Sequence, residues 1–274
     1  MRPFVFTLFL LGSILGCGDS RVFALREGGR TAAERADRPV SQRVNAAELQ
    51  RAVNTLRRGD SGLLATYAAN AMRDAGLMPL VTGSFFIAPV NRTPLPLAEP
   101  GRLGVPQPTD RIPLVAPGEV HVAAFIPGRD PALRDQLVSI YASQRDIPAA
   151  IAVLEVARLL AEEARFSGVP GRSIMIVLIE GTDPRAEVQH LAKRPLWEQS
   201  GIHSVIDVGE IGIANDDLAI GTKTVPNVSV LALPSTSTAS LSEMVSLTDA
   251  VYQSVRVSAD VAQPLASSDD RSTD

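Results

Sequence analysis

Cysteine is nearly absent from this chain of 274 residues. Cys17 is the single one, so no internal disulfide can form and the fold must be held by its core. Charge is balanced, with 26 basic and 30 acidic residues and no block of one sign, which excludes the electrostatic footprint of a nucleic-acid-binding protein. Beyond the first residues, no apolar run reaches the length that a transmembrane helix needs.

The apolar run that is present lies at the start of the chain. Met1-Arg2 and the apolar stretch up to residue 16 are typical of a signal peptide, and the stretch is too short for a permanent membrane helix. It ends in Ile14-Leu15-Gly16-Cys17, which resembles the bacterial lipobox. We therefore predict a signal peptide over residues 1–16 and lipid attachment at Cys17. The alternative is an ordinary cleavable signal with an incidental cysteine.

The resemblance to a lipobox implies an exported, membrane-anchored protein of the cell envelope. Gly18, rather than aspartate, follows the cysteine, which by bacterial sorting rules favours an outer-membrane lipoprotein that faces the periplasm or the surface. The membrane is then a partner only through the lipid anchor. A peptide or protein partner stays unidentified at this stage.

Composition divides the rest of the chain into a tether, one domain and a tail. Residues 17–44 are rich in Arg, Glu, Ala and Gly without apolar periodicity, which predicts a flexible tether. Residues 45–258 are expected to form one domain, an ordinary length for a large α/β unit. Within it, residues 89–117 hold so many prolines that they predict an extended crossing. The Ser/Asp-rich end, 259–274, predicts a disordered tail.

Helical and β-type patterns alternate through the domain. Strands are predicted over 121–126, 137–142, 173–180, 203–211, 217–222 and 227–233, and helices over 45–59, 62–75, 148–166, 185–199 and 240–255. Asn45 with Glu48 three residues later has the pattern of a helix capping box. Such alternation predicts a mostly parallel or mixed sheet with helices on both faces.

Four stretches in a fixed order resemble the zinc-dependent exopeptidases of the leucyl aminopeptidase and glutamate carboxypeptidase type. Residues 59–79 resemble that family's first helical pair and its Gly-Leu-x-Pro turn, and residues 83–86 the strand after it. Residues 122–131 resemble its "NVIA-x-IPG-x-DP" strand and turn, and 171–181 the strand that delivers its catalytic glutamate. The resemblance covers about residues 45–235 and implies a three-layer α/β/α sandwich with a mixed, mostly parallel sheet.

The same resemblance implies an active site with two zinc ions, whose expected ligands are mostly missing here. Ser143 stands where the family has its first histidine ligand, and Arg145, followed by Asp146, where it has the bridging aspartate. Thr182 stands at the position of the family's general base, and Asp183 stands at the position of the neighbouring zinc ligand. Gly209 stands at the position of the family's fourth zinc ligand. No histidine follows His203 in the sequence to supply the fifth. We therefore predict no metal, no cofactor and no catalytic residue of the family's type.

The histidines, Ser143 and the neighbouring charged residues allow other roles. His121 is expected to open a strand at the end opposite to this site, and His190 has no partner one helical turn away, so neither has ligand spacing. Ser143 follows a strand, as a nucleophile would, but lacks a Gly-x-Ser-x-Gly elbow. An ion pair of Arg145-Asp146 with Asp183 filling the former zinc position is a further hypothesis.

Two functions remain open from the sequence. The first is a peptidase-like lipoprotein that has lost zinc-dependent hydrolysis and acts as a binding or scaffolding module. The second is a divergent zinc metallo-aminopeptidase with non-standard ligands, for which zinc would be the cofactor.

Overall fold

The computed structural model describes residues 38–57, 61–80, 83–89, 114, 116, 119–166, 170–193, 201–209, 211–218, 229–234 and 240–260. Cys17, the signal peptide, and most of the tether, of the proline-rich crossing and of the tail lie outside these residues. The predictions made for them stay predictions.

Seven strands form one mixed sheet: β1 Met78–Pro79, β2 Phe86–Ile87, β3 His121–Ile126, β4 Gln136–Ser143, β5 Ser173–Ile179, β6 Gly201–Val208 and β7 Ser229–Leu233. Their order is β1-β3-β5-β4-β6-β7, and β2 also pairs with β3. Strands β4, β5, β6 and β7 run parallel to one another. Strand β3 runs antiparallel to β5, and both β1 and β2 run antiparallel to β3.

Helices cover both faces of this sheet. Their bounds are α1 Val40–Arg43, α2 Ala46–Leu56, α3 Ser61–Asp74, α4 Ile147–Phe166, α5 Pro184–Lys193 and α6 Leu241–Ser258. One core lies between the sheet and α1, α2, α3, α4 and α6, and a second, smaller core lies between the sheet and α5. The predicted fold class, an α/β/α sandwich with a mixed, mostly parallel sheet, is confirmed.

Alternation along the buried strands builds both cores at once. In β3, Val122 and Ala124 face the larger core, whereas Ala123 and Phe125 face the smaller one. A fully buried Val, Leu, Ile or Phe side chain contributes about 1.5–3 kcal/mol by leaving water. Among the helices that the structure describes, none combines the length and the hydropathy that crossing a membrane requires.

Capping side chains begin two of the helices where the sequence indicates. The Asn45 side chain accepts a hydrogen bond from the Glu48 backbone N–H at the start of α2. Ser240 forms a complete capping box with Glu243 at the start of α6. These local bonds satisfy backbone N–H groups that a helix leaves without internal partners.

The structure departs from the predicted strand over 217–222. Residues Asn215–Leu218 form a short 3₁₀ helix, and residues 219–222 lie outside the described part. Asp217 explains the difference, because its carboxylate accepts from the Ala214 N–H and binds Arg185 and Gln189 on α5. A buried acid tied in this way fixes a local turn that a strand could not keep.

Ordered packing extends slightly past both predicted ends of the domain. Val40, in the segment expected to be tether, is buried in the larger core, and Arg43 Nη1 donates to the Tyr252 hydroxyl at 2.7 Å. That hydroxyl donates in turn to Glu163 at 2.6 Å. At the other end Ala259 is buried, and its carbonyl accepts from Arg172.

Candidate functional site

The carboxyl ends of three neighbouring parallel strands define the candidate site. In the register, Ser143 of β4 lies opposite Ile179 of β5, and Ala142 lies opposite Val208 of β6. The segments that leave these strands begin with Gln144, Glu180 and Gly209. Parallel α/β sheets place ligands at this edge because the connecting loops meet there. We call it the carboxyl edge.

Ser143 and Gln144 hold the turn that leaves β4. The Ser143 hydroxyl accepts a hydrogen bond from the Arg145 N–H at 3.2 Å. Gln144 donates from Nε2 to the carbonyls of Val120 and Leu178. In the described part of the chain no imidazole is hydrogen-bonded to Ser143, so the arrangement gives this serine no base to activate it.

Arg145 points its guanidinium toward Glu180. Arg145 Nε lies 4.0 Å from Glu180 Oε1, and the Glu180 side chain is 4% exposed whereas that of Arg145 is 56% exposed. A buried carboxylate is therefore accompanied by a cation, Arg145, for which the sequence resemblance predicts the place of a bridging aspartate. A fixed positive charge at that place disfavours a metal cation.

Asp146 and Gly209 share the space on the other side of β4. Asp146 Oδ1 accepts from the Ala149 N–H at 3.1 Å and so begins α4. A Cβ at Gly209 would stand 2.6 Å from Asp146 Oδ2. Gly209 also has a φ of +88°, which other residues adopt only under strain. Glycine is therefore required at residue 209 by the position of Asp146.

Thr182 and Asp183 follow the carboxyl end of β5 and are both exposed. Asp183 Oδ1 accepts from the Ala186 N–H at 3.0 Å and begins α5. The hypothesis of an ion pair between Arg145-Asp146 and Asp183 is wrong in its partner, because the acid that the structure places beside Arg145 is Glu180. Asp146 and Asp183 each cap the helix that follows them, which accounts for their orientation.

His121 lies at this same edge, and the expectation that it opens its strand at the opposite end is wrong. Strand β3 runs antiparallel to β5, so the start of β3 meets the end of β5. The Glu180 backbone N–H donates to His121 Nδ1 at 3.0 Å, and His121 Nε2 lies 3.0 Å from Glu187 Oε2 on α5. Sequence reasoning missed this pair because strand direction is set by long-range pairing.

Asp207 is a second buried acid that sequence reasoning did not place. Its carboxylate is 1% exposed and accepts three backbone N–H bonds, from Ile211, Gly212 and Ile213. It therefore fixes the path of the chain after β6. With its lone pairs directed at backbone donors, it serves the loop rather than a ligand.

The described residues at this edge do not fit a centre of two zinc ions. Zinc needs imidazole, thiolate or carboxylate donors converging at about 2 Å, and the positions that the resemblance predicts for the ligands include Ser143, Arg145 and Gly209. Within the described ranges, no group of three His, Cys, Asp or Glu side chains is placed so that it could hold a metal ion. His121 has both ring nitrogens engaged by protein groups.

Comparison with known proteins gives similarity in structure alone. No protein-family model matches the chain, and no curated protein matches it in sequence. Among solved structures, LapB from Legionella pneumophila has a TM-score of 0.50 at 10% identity, over 80% of this chain and 73% of that chain.

Two further solved structures align with lower scores. A candidate zinc-dependent exopeptidase from Bacteroides vulgatus has a TM-score of 0.46 at 10% identity, over 76% of this chain and 94% of that chain. BSAP, a zinc aminopeptidase from Bacillus subtilis, has a TM-score of 0.35 at 10% identity, over 53% of each chain. At these identities the likeness is one of fold: the chain is similar to LapB in its α/β sandwich, and its structural neighbours include zinc exopeptidase-like proteins.

Proposed function

We propose that this chain is a peptidase-like protein that has lost zinc-dependent hydrolysis and acts as a binding or scaffolding module. The observation that carries the proposal is the pair of Arg145 and Glu180 at the carboxyl edge. By the resemblance to zinc exopeptidases, Arg145 stands where two-metal hydrolysis would need a bridging carboxylate, and this supports the proposal. Two further acids at this edge, Asp146 and Asp183, are engaged as helix caps.

The test measures metal and activity on the same preparation. We expect purified protein, after incubation with zinc and removal of the excess, to hold less than one zinc ion per chain by elemental analysis. We expect no release of the chromophore from a panel of amino-acid anilides, with a zinc aminopeptidase as the positive control. Two bound zinc ions per chain, or anilide hydrolysis that a chelator abolishes, would overturn the proposal.

A divergent zinc metallo-aminopeptidase is the second candidate. It is favoured by the presence of an imidazole beside a carboxylate at the carboxyl edge, since His121 Nε2 lies 3.0 Å from Glu187 Oε2. Replacement of Glu187 by glutamine separates the two candidates if any activity is found. Activity that depends on zinc and falls in Glu187→Gln would support the enzyme, whereas activity that Glu187→Gln leaves unchanged would indicate a contaminant.

The proposed setting of this module is the bacterial cell envelope, with an acyl chain on Cys17 as the anchor. The lipobox-like sequence before Cys17 supports it. Labelled fatty acid should be incorporated into the native chain in a bacterial host and not into Cys17→Ser. Equal labelling of the two chains would remove the lipoprotein proposal without affecting the proposal for the carboxyl edge.

A further inference from the structure

His121 is fully buried, and its hydrogen bonds determine its tautomer. The Glu180 backbone N–H points at Nδ1, and an N–H can only donate, so Nδ1 must be the unprotonated nitrogen. The neutral ring then carries its proton on Nε2. From there it donates to Glu187 Oε2 at 3.0 Å.

These two bonds join three separate elements of the fold. His121 opens β3, Glu180 follows β5 directly, and Glu187 lies in the first turn of α5. Gly181 allows the close approach, because it has a φ of +139° and a Cβ there would stand 3.2 Å from Glu187 Cγ. The contacts together fix residues 180–183, which carry Thr182 and Asp183 past the carboxyl edge.

We propose that His121, through its hydrogen bonds to the Glu180 N–H and to Glu187, holds the loop of residues 180–183 against β3 and releases it when the ring is protonated. We call this pair of hydrogen bonds the clasp. An added proton can enter the ring only at Nδ1, which then becomes a donor. It faces the Glu180 N–H, and two donors cannot share one hydrogen bond. The bond from Glu180 is therefore lost on protonation, and the loop separates from β3.

The groups around His121 keep the ring neutral at ordinary pH. Burial lowers the pKa of His121 below its usual value, and the nearby His190 lowers it further. The charge and hydrogen bond of Glu187 act in the opposite direction and do not reverse the shift. From the other elements packed here, Glu180 contributes its backbone N–H, and Ile87 of β2, opposite His121 in the register, is apolar.

Opening of the clasp changes the candidate site because Glu180 belongs to both. Its backbone N–H binds His121, while its carboxylate lies 4.0 Å from Arg145. Release of the backbone would therefore change the position of the carboxylate relative to Arg145. The inference rests on the hydrogen bonds of His121 and does not depend on the proposed function.

The direction of the pH effect follows from the lowered pKa. The closed state disfavours protonated His121, so the clasp is at full strength above the ordinary histidine value of about 6.5 and weakens as pH falls toward the lower pKa of the closed state. Each group of this kind changes an equilibrium by at most about tenfold per pH unit. Between about pH 6.5 and about pH 5.5, a range that starts at the ordinary histidine value itself, the open fraction should therefore rise by at most about fivefold.

The experiment uses the full chain with His190→Gln and His203→Gln, which leaves His121 as its one histidine. Nitrogen NMR of the ring reports the tautomer, and we expect the Nε2–H form at neutral pH. Hydrogen exchange of the Glu180 amide, divided by its intrinsic rate at each pH, should show protection that falls as the pH is lowered through this range, by no more than about fivefold. A proton on Nδ1 at neutral pH, or protection that does not change with pH, overturns the clasp.

A matched variant separates titration from a simple loss of contact. In His121→Asn, the Oδ1 atom takes the place of Nδ1 as acceptor for the Glu180 N–H, and residue 121 itself no longer titrates. We expect Glu180 protection in this variant to be independent of pH over the same range. The same fall in protection as in the parent would overturn the proposal. If His121→Asn does not fold, the tautomer and the exchange of the parent decide the question by themselves.

Discussion

The Asp146 carboxylate occupies the space that a side chain at Gly209 would need. A Cβ at residue 209 would lie 2.6 Å from Asp146 Oδ2 and 3.0 Å from the Ala149 Cβ. Asp146 cannot withdraw without giving up its bond to the Ala149 N–H, which begins α4. The two residues therefore constrain each other: the cap of the central helix requires glycine at the end of β6.

Gly209→Ala should lower the free energy of unfolding by about 2–4 kcal/mol, from backbone strain at positive φ together with crowding against Asp146. Gly212→Ala is the matched control, since its φ is +80° but nothing lies within 4 Å of the added Cβ. We expect it to cost about 1–2 kcal/mol from strain alone. Urea unfolding measures both variants, and equal losses would show that Asp146 exerts no crowding.

Asp207→Asn should destabilise the chain by about 2–3 kcal/mol, because one of the oxygens that accept backbone N–H bonds becomes an amide donor. Asp183→Asn is the control, since asparagine caps a helix about as well as aspartate. We expect it to change the free energy of unfolding by less than about 0.5 kcal/mol. Similar effects of the two substitutions in thermal or urea unfolding would contradict this account of Asp207.

Local signals in the sequence were sufficient for most of the fold. Asn45 and Ser240 mark helix starts because capping depends on residues three apart. Buried runs such as His121–Ile126 indicate strands for the same local reason. The 3₁₀ helix at Asn215–Leu218 was missed, since it depends on Arg185 and Gln189 from a distant helix reaching Asp217.

Less of the candidate site could be predicted, because sites depend on which strand ends meet. The resemblance indicates Arg145 as a residue of the site. It does not indicate the partner of Arg145, because Glu180 follows another strand. His121 was assigned to the wrong end because nothing within residues 121–126 encodes that β3 runs against β5. The direction of β3 is set by pairing between strands about fifty residues apart in sequence. Local periodicity carries no information about such pairing.

Alkaline conditions should weaken the native state through its buried tyrosines. Burial raises the pKa of Tyr141 to about 12, and burial together with the bond to Glu163 raises that of Tyr252 to about 12. The unfolded chain releases these protons near pH 10, so stability is full below that value and is lost as pH rises toward 12.

Tyr252→Phe should roughly halve the slope of unfolding free energy against pH in this alkaline range, since one of two strongly shifted groups is removed. Urea unfolding at a series of pH values measures the slope. Tyr67→Phe, at a more exposed tyrosine, is the control and should change this slope less than Tyr252→Phe does. An unchanged slope in Tyr252→Phe would contradict the assignment.

Acidic conditions should weaken the native state through the protonation of Asp217. Burial raises the pKa of this carboxyl, but hydrogen bonds from Ala214, Gln189 and Arg185 and the charge of Arg185 outweigh it and hold the pKa below its usual value. A lowered pKa gives stability that is present above about pH 4 and lost as pH falls further. Asp217→Asn should therefore flatten the acid limb of a stability curve measured by urea unfolding, and an acid limb as steep as that of the native chain would refute this.

The contact between Arg43 and Tyr252 has a mechanical consequence. Val40–Arg43 is the first turn that the structure describes, and it is held by the last described helix, which packs on α4 at the centre of the larger core. A pull applied at residue 38 would load this contact and the buried Val40 before it reached any strand. The sheet, with its carboxyl edge, would stay unstrained until that first turn had been stripped from α6.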